Sequence, residues 1–349
     1  MNAYDKKYDI RLARYDEIDE IMHFIKEKWN SDHILANNRA YFEYEYVCGN
    51  DVHFLLAKSR EDNQIAGIIG YIPASKDVEH MDIWTVMWKV KEGVMPLLGM
   101  ELLKRVKEVV KARASLGVGD NPKTTIRLLN KMTDYETGKM KHFYKLSKTL
   151  PFSIAKIEKP VFTSPDIINA SVSVIKIESI EQLDEMFDYD VLKENIPYKD
   201  SWYISHRYFK HPVYSYQIYG LQEAGMVKAL LITRVQEYNN SKVLRIIDYI
   251  GKQCLFAGLQ EFFEEKLNEY EYIDFYVLGF DYQYIVDAGF TERQDEDTNI
   301  IPNYFYPFEQ KNIDIWCSGS EKGGVYCKGD SDQDRPNGDC YVCCNVSLC

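Results

Sequence analysis

Hydrophobic positions recur with two different periods along this chain, and together they predict a mixture of strands and helices. From Asp16 to Trp29 apolar residues return every three or four positions, which is the pattern of an amphipathic helix. Residues 52–58 and 64–72 are apolar runs on either side of a polar turn, which is the pattern of a β-hairpin. A strand over 8–14 and a second helix around 38–46 are predicted in the same way.

The most informative stretch runs from Asp82 to Lys111. Aromatic and β-branched residues at 83–90 predict a buried strand, and leucines and valines at helical spacing predict a helix that begins at Gly99. The first backbone N–H groups of a helix lack intrahelical partners, and the helix dipole makes this end positive. The stretch therefore predicts a cradle for a diphosphate, although a glycine that serves packing alone would give the same pattern. A strand at 115–118 and a helix at 123–132 follow.

The same order of elements occurs again in the second half of the chain. It begins with a strand at 172–178, continues through a hairpin and a helix near Gly258, and closes with a strand at 272–278 and a helix at 282–288. Matched order at matched spacing is typical of two copies of one fold, and Pro160 and Pro165 interrupt the pattern between the copies. We therefore predict an N-terminal domain at 1–160, a second domain at 170–312 and a cysteine-rich tail at 313–349.

Composition and charge narrow the classes of function. The formal net charge of −12 argues against nucleic acid or an anionic membrane surface as the main partner. No run approaches the ~18 apolar residues of a membrane span, and the N-terminus lacks the apolar core of a secretory signal. Of the eight cysteines, Cys48 and Cys254 alone precede the tail, which fits a protein of the reducing cytoplasm.

Two patterns in the tail imitate metal sites. Asp330, Asp332 and Asp334 are spaced like the start of an EF-hand loop, but Arg335 stands where that loop needs glycine. Cys340 and Cys343 form one Cys-x-x-Cys pair, without the second pair of a zinc site. We therefore expect no metal cofactor.

The order of strand, two helices, strand hairpin, strand, glycine turn, helix, strand and helix resembles the GCN5-related N-acetyltransferase (GNAT) superfamily over 8–150 and again over 172–310. The resemblance implies an α+β fold of two tandem GNAT-like domains, each a mixed, mostly antiparallel, twisted sheet flanked by helices. In that fold the fourth strand splays from the fifth, acyl-CoA lies in the gap, and its diphosphate lies on the turn before the third helix. The implied co-substrate is an acyl-CoA, expected to be acetyl-CoA.

The family writes this turn as Gln/Arg-x-x-Gly-x-Gly/Ala, and Val94-Met95-Pro96-Leu97-Leu98-Gly99 stands at the matching positions. Gly99 is the one glycine kept, and Val94 replaces the Gln or Arg. An asparagine after the fifth strand often contacts the cofactor in the family, and Asn121 matches it. The cofactor-binding residues that the resemblance implies are Met87, Trp88, Lys89, Val90, Val94, Leu97, Leu98, Gly99, Met100 and Asn121.

Acyl transfer from a thioester to an amine needs a base, a polarised carbonyl and an acid for the leaving thiolate. His33 is the first choice for the base, because imidazole titrates near neutral pH and its loop closes over the acceptor in this fold. A capping histidine is the alternative, and Asp82 is a second candidate base that also suits a solvated strand start. A backbone N–H within Met87–Val90 would polarise the carbonyl. The family's tyrosine acid falls at Leu129, so Tyr144 or Tyr135 would replace it.

Trp84 and Trp88 alternate with Val86, which predicts that the two indoles share one face of their strand and either wall the acyl site or pack in the core.

The acceptor is suggested by a second resemblance. Residues 29–35, 41–46 and 329–337 are similar to stretches of GNAT-like proteins encoded with bacterial surface-polysaccharide biosynthesis. This implies an amino sugar or a nucleotide-linked amino sugar as small-molecule acceptor, and it leaves a homodimer possible. The alternatives are a non-catalytic GNAT-fold binding module and a Fem-type aminoacyl transferase. A Fem-type enzyme would bind aminoacyl-tRNA, and the acidic net charge of the chain argues against this partner.

Overall fold

The computed structural model describes residues 2–163 and 172–337, and the chain divides into two compact units. Within the described residues, unit 1 comprises 2–117 and 335–337, and unit 2 comprises 118–163 and 172–334. The sequence predicted a first domain at 1–160, whereas residues 118–160 lie in unit 2.

Unit 1 contains five helices and six strands within its described residues. The helices are α1 Ala3–Lys7, α2 Ile18–Lys28, α3 Ile34–Asn37, α4 Arg39–Tyr46 and α5 Leu98–Val110. The strands are β1 Tyr8–Ala13, β2 Val47–Cys48, β3 Asp51–Ser59, β4 Ile65–Pro73, β5 Asp82–Val90 and β6 Ala114–Val118.

The sheet of unit 1 has the strand order β1-β3-β4-β5-β6, with β2 paired to β3. All its pairs are antiparallel except β5 with β6, which are joined by the crossover helix α5 and run parallel. Every residue of β4 is buried, as expected of a central strand covered on both faces. Gly67 allows α5 to approach, because a Cβ there would lie 2.8 Å from Val90 Cγ1 and 3.1 Å from Leu102 Cδ1.

Unit 2 contains the remaining elements of the described chain. Its helices are α6 Thr125–Met132, α7 Ile180–Met186, α8 Ser201–Ile204, α9 Gln260–Lys266 and α10 Tyr282–Asp287. Its strands are β7 Glu136–Lys139, β8 Lys141–Leu146, β9 Ser173–Ile177, β10 Gln217–Glu223, β11 Met226–Tyr238, β12 Ser241–Gly251, β13 Tyr272–Leu278, β14 Thr291–Glu292, β15 Tyr304–Phe305, β16 Phe308–Glu309, β17 Trp316–Gly319 and β18 Tyr326–Cys327.

The sheet of unit 2 repeats the order of unit 1. It runs β14-β8-β13-β12-β11-β10-β9, with β18 paired to β13, and β12 and β13 are its parallel pair. Helices α9 and α10, with the 3₁₀ turn Gln253–Leu259, bury an aromatic cluster around Phe256 and Phe263 on one face. Helices α7 and α8 bury a second cluster around Tyr203 and Ile204. Both units are therefore mixed α+β sheets flanked by helices, as predicted.

Part of the predicted tail forms short strands. Strands β17 and β18 bury Cys317 and Cys327, and β17 pairs with β7. Cys340, Cys343, Cys344 and Cys349 lie outside the described residues. No helix among residues 2–163 and 172–337 is long and apolar enough to cross a membrane.

A buried carboxylate links the edge of the unit 1 sheet to its first helices. Glu17 accepts two hydrogen bonds from Arg11, both at 2.7 Å, and a third from the N–H of Arg14 at 2.9 Å. The bonds from Arg11 are the main cause that lowers the pKa of Glu17 to about 2 from 4.5. This stabilisation is complete above pH 4.5 and is lost as the pH falls toward 2.

We therefore expect Glu17→Gln to lower the urea midpoint of unfolding at pH 7 and to change it little near pH 2.5. Tryptophan fluorescence at both pH values measures the difference. Asp16→Asn, at an exposed neighbouring carboxylate, is the control and should leave both midpoints unchanged. A Glu17→Gln deficit of the same size at both pH values would contradict the assignment.

Candidate active site

Two neighbouring strands of unit 1 pair over three residues and then separate. The parallel pairing of β5 and β6 is confined to Asp82–Trp84 and Ala114–Leu116. At the next position the Thr85 hydroxyl donates to the carbonyl oxygen of Leu116 at 3.1 Å, so a side chain replaces the ladder bond. Since β5 continues to Val90, a gap opens between the strands from Thr85 onward.

The strand that borders this gap carries a β-bulge. Between Val86 and Lys89, the two residues Met87 and Trp88 lie opposite the single residue Ile69 of β4. Met87 has a φ of 49°, a left-handed conformation that costs a residue with a side chain about 1 kcal/mol or more. A bulge takes backbone groups out of the ladder and makes them available to other acceptors. The predicted source of a carbonyl-polarising N–H, Met87–Val90, thus coincides with this bulge.

The bulge also corrects the prediction for the two indoles. Trp84 precedes it and is fully buried, whereas Trp88 lies within it and donates from Nε1 to the carbonyl oxygen of Gly99 at 2.9 Å. One inserted residue reverses the alternation of side chains along a strand. The prediction that Trp84 and Trp88 share a face is therefore wrong, because Trp88 turns toward the start of α5.

Helix α5 begins with backbone donors that remain available. Leu97 precedes it with a φ of 61°, and the N–H groups of Leu98 and Glu101 donate to Met95 and Leu97 at 3.2 and 3.1 Å. Among the described residues, the N–H groups of Gly99 and Met100 have no acceptor. Because α5 has 13 residues, its dipole adds positive potential at these two donors. This is a suitable end of a helix for an anion.

Gly99 has a packing reason of its own. A Cβ at this position would lie 3.1 Å from Trp88 Nε1, so the indole contacts the helix where a side chain would project. The glycine therefore follows from helix–strand packing, which was the alternative that the sequence left open. The open N–H groups, and not the glycine itself, point to an anion.

The N-terminal residues fasten the turn before α5. The Tyr4 hydroxyl donates to the carbonyl oxygen of Pro96 at 2.8 Å, and the Tyr8 hydroxyl accepts from the N–H of Met95 at 3.0 Å. Two further contacts reach α5 itself, Asn2 to Glu101 at 2.8 Å and Arg105 to Asp5 at 2.6 Å. The sequence analysis missed α1, although its capping box of Asn2 and Asp5 is a local signal for it.

A cavity of about 810 Å³ lies in unit 1 between α2 and the ends of β4 and β5. Its floor includes Phe24, Ile65 and Val90. Its polar lining carries both signs of charge, from the carboxylates of Glu20, Glu27 and Glu92 and from the ammonium groups of Lys28, Lys89 and Lys91, and it also includes His23. The cavity therefore adjoins the end of the strand that carries the bulge, and its lining suits a polar ligand.

Comparison of the whole chain with solved structures decides the fold. A probable N-acyltransferase from Enterococcus faecalis superposes with a TM-score of 0.54 at 10% identity, over 89% of this chain and 71% of that one. A GCN5-related N-acetyltransferase from Anabaena variabilis superposes with a TM-score of 0.50 at 12% identity, over 89% of this chain and 72% of that one. The chain has the GNAT fold. Neither a family model nor a curated protein matches its sequence.

In GNAT terms β5 and β6 are the fourth and fifth strands of the first copy, and α5 is its third helix. The predicted residues Met87, Trp88, Lys89 and Val90 lie on the bulged half of β5, and Val94, Leu97, Leu98, Gly99 and Met100 lie on the turn and the first residues of α5. The structure therefore brings nine of the ten predicted cofactor residues into two adjoining segments, joined by the bond from Trp88 to Gly99.

The tenth residue, Asn121, lies in unit 2, in the turn before helix α6. Its Oδ1 accepts from the N–H groups of Lys123 and Thr124 at 2.9 and 3.2 Å, just before α6. This is an Asx turn, and it accounts for an asparagine at the position.

His33 is a capping residue of the GNAT-like unit 1. Its Nδ1 accepts from the N–H of Leu35 at 3.2 Å at the start of α3, and 7% of the residue is exposed. A neutral imidazole that accepts at Nδ1 carries its proton on Nε2, so it has no second lone pair for an incoming proton. This geometry favours the capping alternative over a general base.

Asp82 has a structural role at the start of the parallel pair. The carboxylate is fully buried, and Arg113 binds its two oxygens at 3.0 and 2.6 Å, while the N–H of Ala114 donates at 3.1 Å. These bonds join β5 to β6 just before the gap opens. Buried and bound in this way, the carboxylate is not the solvated strand start that the sequence suggested, and its contacts are structural.

Tyr144 lies in β8 of unit 2 and is 1% exposed. Its hydroxyl accepts from Asn299 Nδ2 at 3.2 Å. Burial raises the pKa of Tyr144, so the phenol stays protonated, but its neighbours Tyr272 and Ile301 enclose it in an apolar cluster. Nothing in this position marks it as an acid for a leaving thiolate.

One group of possible metal ligands occurs among the described residues. Asp248, Cys327 and Asp330 bring a ligand atom each within 4.8 Å of one another. The ammonium of Lys199 contacts both carboxylates at 2.6 Å, so the chain itself supplies the cation at this point. We assign no metal to it.

Proposed function

We propose that unit 1 is an acyl-CoA-dependent N-acyltransferase that transfers an acetyl group to the amine of an amino sugar or a nucleotide-linked amino sugar. The observation that carries the proposal is a combination of three features. A gap separates two strands, a bulge lies at its border, and Trp88 in this bulge is hydrogen-bonded to the start of a 13-residue helix with open N–H groups. The thioester of acyl-CoA supplies an activated carbonyl. The start of the helix suits the diphosphate of CoA, and the bulge suits the carbonyl oxygen.

Each element has one task in the proposed reaction. The N–H groups of Gly99 and Met100 bind the diphosphate, and a bulge N–H near Met87 donates to the carbonyl oxygen as charge develops there. The acceptor amine attacks the carbonyl carbon, the C–N bond forms as the C–S bond breaks, the amine proton leaves to a base, and the leaving thiolate takes a proton from solvent. The products are the amide and the free thiol.

The cavity beside β5 is our candidate for the acceptor site. Its lysines and carboxylates can bind hydroxyl groups and, in a nucleotide-linked sugar, phosphate. His23 and Glu27 are exposed side chains in the cavity, and imidazole and carboxylate are side-chain types that serve as general bases. They replace His33 and Asp82 as candidate bases, because His33 caps α3 and Asp82 is ion-paired with Arg113.

The decisive test removes one backbone N–H donor and leaves every charged side chain in place. Proline is tolerated in the first turn of a helix, so Met100→Pro deletes one N–H while Met100→Ala keeps it. A charge-assisted hydrogen bond contributes about 1.5–3 kcal/mol, so Met100→Pro should bind acetyl-CoA about 10- to 100-fold more weakly than Met100→Ala. Isothermal titration calorimetry measures both affinities.

Equal affinity of the two variants would show that the diphosphate does not lie on α5. Absence of any heat from the wild-type protein at millimolar acetyl-CoA would overturn the acyl-CoA proposal as a whole. Tight binding with no thiol release in the presence of glucosamine or amino-sugar nucleotides would favour the non-catalytic binding module.

A further inference from the structure

The central strands of unit 2 also separate. β12 and β13 pair in parallel at Leu244–Ile246 and Ile273–Phe275, although β12 continues to Gly251 and β13 to Leu278. In the second GNAT-like copy these are the fourth and fifth strands. The space beyond Ile246 is therefore the counterpart of the gap that we propose for acyl-CoA in unit 1.

Residues 326–334 of the same chain, which we call the inserted segment, occupy this space. β18 pairs antiparallel with Val277 and Leu278 of β13. Two residues later the N–H of Gly329 donates to the carbonyl oxygen of Ile247 in β12 at 2.7 Å. One short segment is thus hydrogen-bonded to both of the separated strands.

The packing around the inserted segment leaves no room for a ligand at its centre. A Cβ on Gly329 would lie 2.6 Å from Ile247 Cγ2 and 2.9 Å from the Tyr208 hydroxyl. Lys328, next to it, is 3% exposed. Burial lowers the pKa of Lys328 to about 7, so this amine can lie in the interior without its proton.

Buried charges fix the segment on one side. Asp330 and Asp248 both contact the ammonium of Lys199 at 2.6 Å. The Tyr208 hydroxyl donates to Asp248, also at 2.6 Å, and the N–H of Cys327 donates to Asp330 at 2.8 Å. All five residues are buried. If the segment left, Lys199 would lose one of its two carboxylates.

A second set of contacts fixes the end of the segment. Asp334 is 2% exposed and accepts from Arg234 Nε at 3.1 Å and from the Tyr216 hydroxyl at 2.9 Å. Arg207 donates to the carbonyl oxygen of Gly329 at 3.2 and 3.1 Å. A buried guanidinium that loses its partner is strongly destabilising, so these contacts oppose displacement of the segment by a ligand.

We propose that residues 326–334 are a permanent internal occupant of the cleft between β12 and β13, and that unit 2 therefore binds no acyl-CoA. The second part rests on the proposed function of unit 1, which then takes one acyl-CoA per chain. Unit 2 keeps the fold of a transferase and fills its cofactor cleft with its own backbone.

Two measurements test the proposal. In the first, a CoA thioester with a benzophenone acyl chain is photo-crosslinked to the full chain and the adducts are mapped by mass spectrometry. We expect adducts within residues 82–100 and one equivalent bound per chain. An adduct within 244–260 or 273–280, or a second equivalent, would overturn the proposal.

The second measurement needs no ligand, so it decides the question even if the protein binds no acyl-CoA at all. Hydrogen exchange of the wild-type protein should protect the amide of Gly329 as strongly as those in the middle of β12. Asp334→Asn should speed exchange at Gly329 at least 10-fold, whereas Asp332→Asn, at a half-buried carboxylate in the same turn, should not. Exchange at Gly329 within seconds in the wild type would show that the segment is not a permanent occupant.

Discussion

Asp274→Ala is expected to destabilise unit 2 by about 3–5 kcal/mol, because it leaves a buried guanidinium without its carboxylate. Arg245 is 1% exposed and binds the two oxygens of Asp274 at 3.0 and 2.9 Å. His142 adds a third contact, from Nε2 at 3.1 Å. Burial alone would raise the pKa of Asp274, but the charges and hydrogen bonds of Arg245 and His142 together lower the pKa below its usual value, so the carboxylate is ionised at neutral pH.

A paired substitution separates the charge from the packing. Replacing both partners by apolar residues, Asp274→Leu with Arg245→Met, removes the unpaired charge and should recover most of the lost stability. Chemical denaturation followed by circular dichroism measures the free energy of unfolding of the single and double variants. If Asp274→Ala cost less than 1 kcal/mol, the pair would not be the buried contact that the structure shows.

The elements that carry the proposed site follow from local sequence patterns. The strand predicted at 83–90 is Asp82–Val90, and the helix predicted from Gly99 is Leu98–Val110. Amphipathic spacing and an apolar run are properties of neighbouring residues, so the sequence alone contains them. The repeated order of elements was equally visible, and with it the tandem GNAT fold.

The details that decide the chemistry are not local. The bulge at Met87 depends on the register between β4 and β5, and no pattern within residues 83–90 predicts an inserted residue. The roles of His33 and Asp82 depend on Leu35 and Arg113, which composition and spacing do not connect to them. A histidine or aspartate that suits catalysis in a sequence suits a cap or an ion pair equally well.

The boundary between the units also depends on contacts between residues that are distant in the sequence. The sequence analysis placed residues 118–160 with the first copy, because they contain its last predicted helix and precede the break at Pro160. The structure pairs β8, Lys141–Leu146, with β13 and β14 of unit 2. Strand pairing between residues more than a hundred positions apart leaves no periodic signal, so prolines at 160 and 165 were a misleading guide to where contacts change.

Glu271→Ala is the second substitution with a large expected effect, about 3–5 kcal/mol lost from unit 2. The carboxylate is 1% exposed and accepts from three consecutive N–H groups, those of Ser153, Ile154 and Ala155, at 2.8, 2.9 and 2.7 Å. The Ser241 hydroxyl donates to it as well, at 2.9 Å. Each buried N–H that loses its acceptor costs about 1–3 kcal/mol, and alanine offers none.

Glu269→Ala, at an exposed carboxylate two residues earlier, is the matched control and should change stability by less than about 0.5 kcal/mol. Denaturant unfolding gives both values, and hydrogen exchange should show faster exchange at Ile154 and Ala155 in Glu271→Ala alone. Unchanged protection there would mean that another acceptor fixes residues 153–155. Glu271, which lies just before β13, thus binds the segment 153–155 to unit 2, and no pattern within residues 153–155 could reveal this contact.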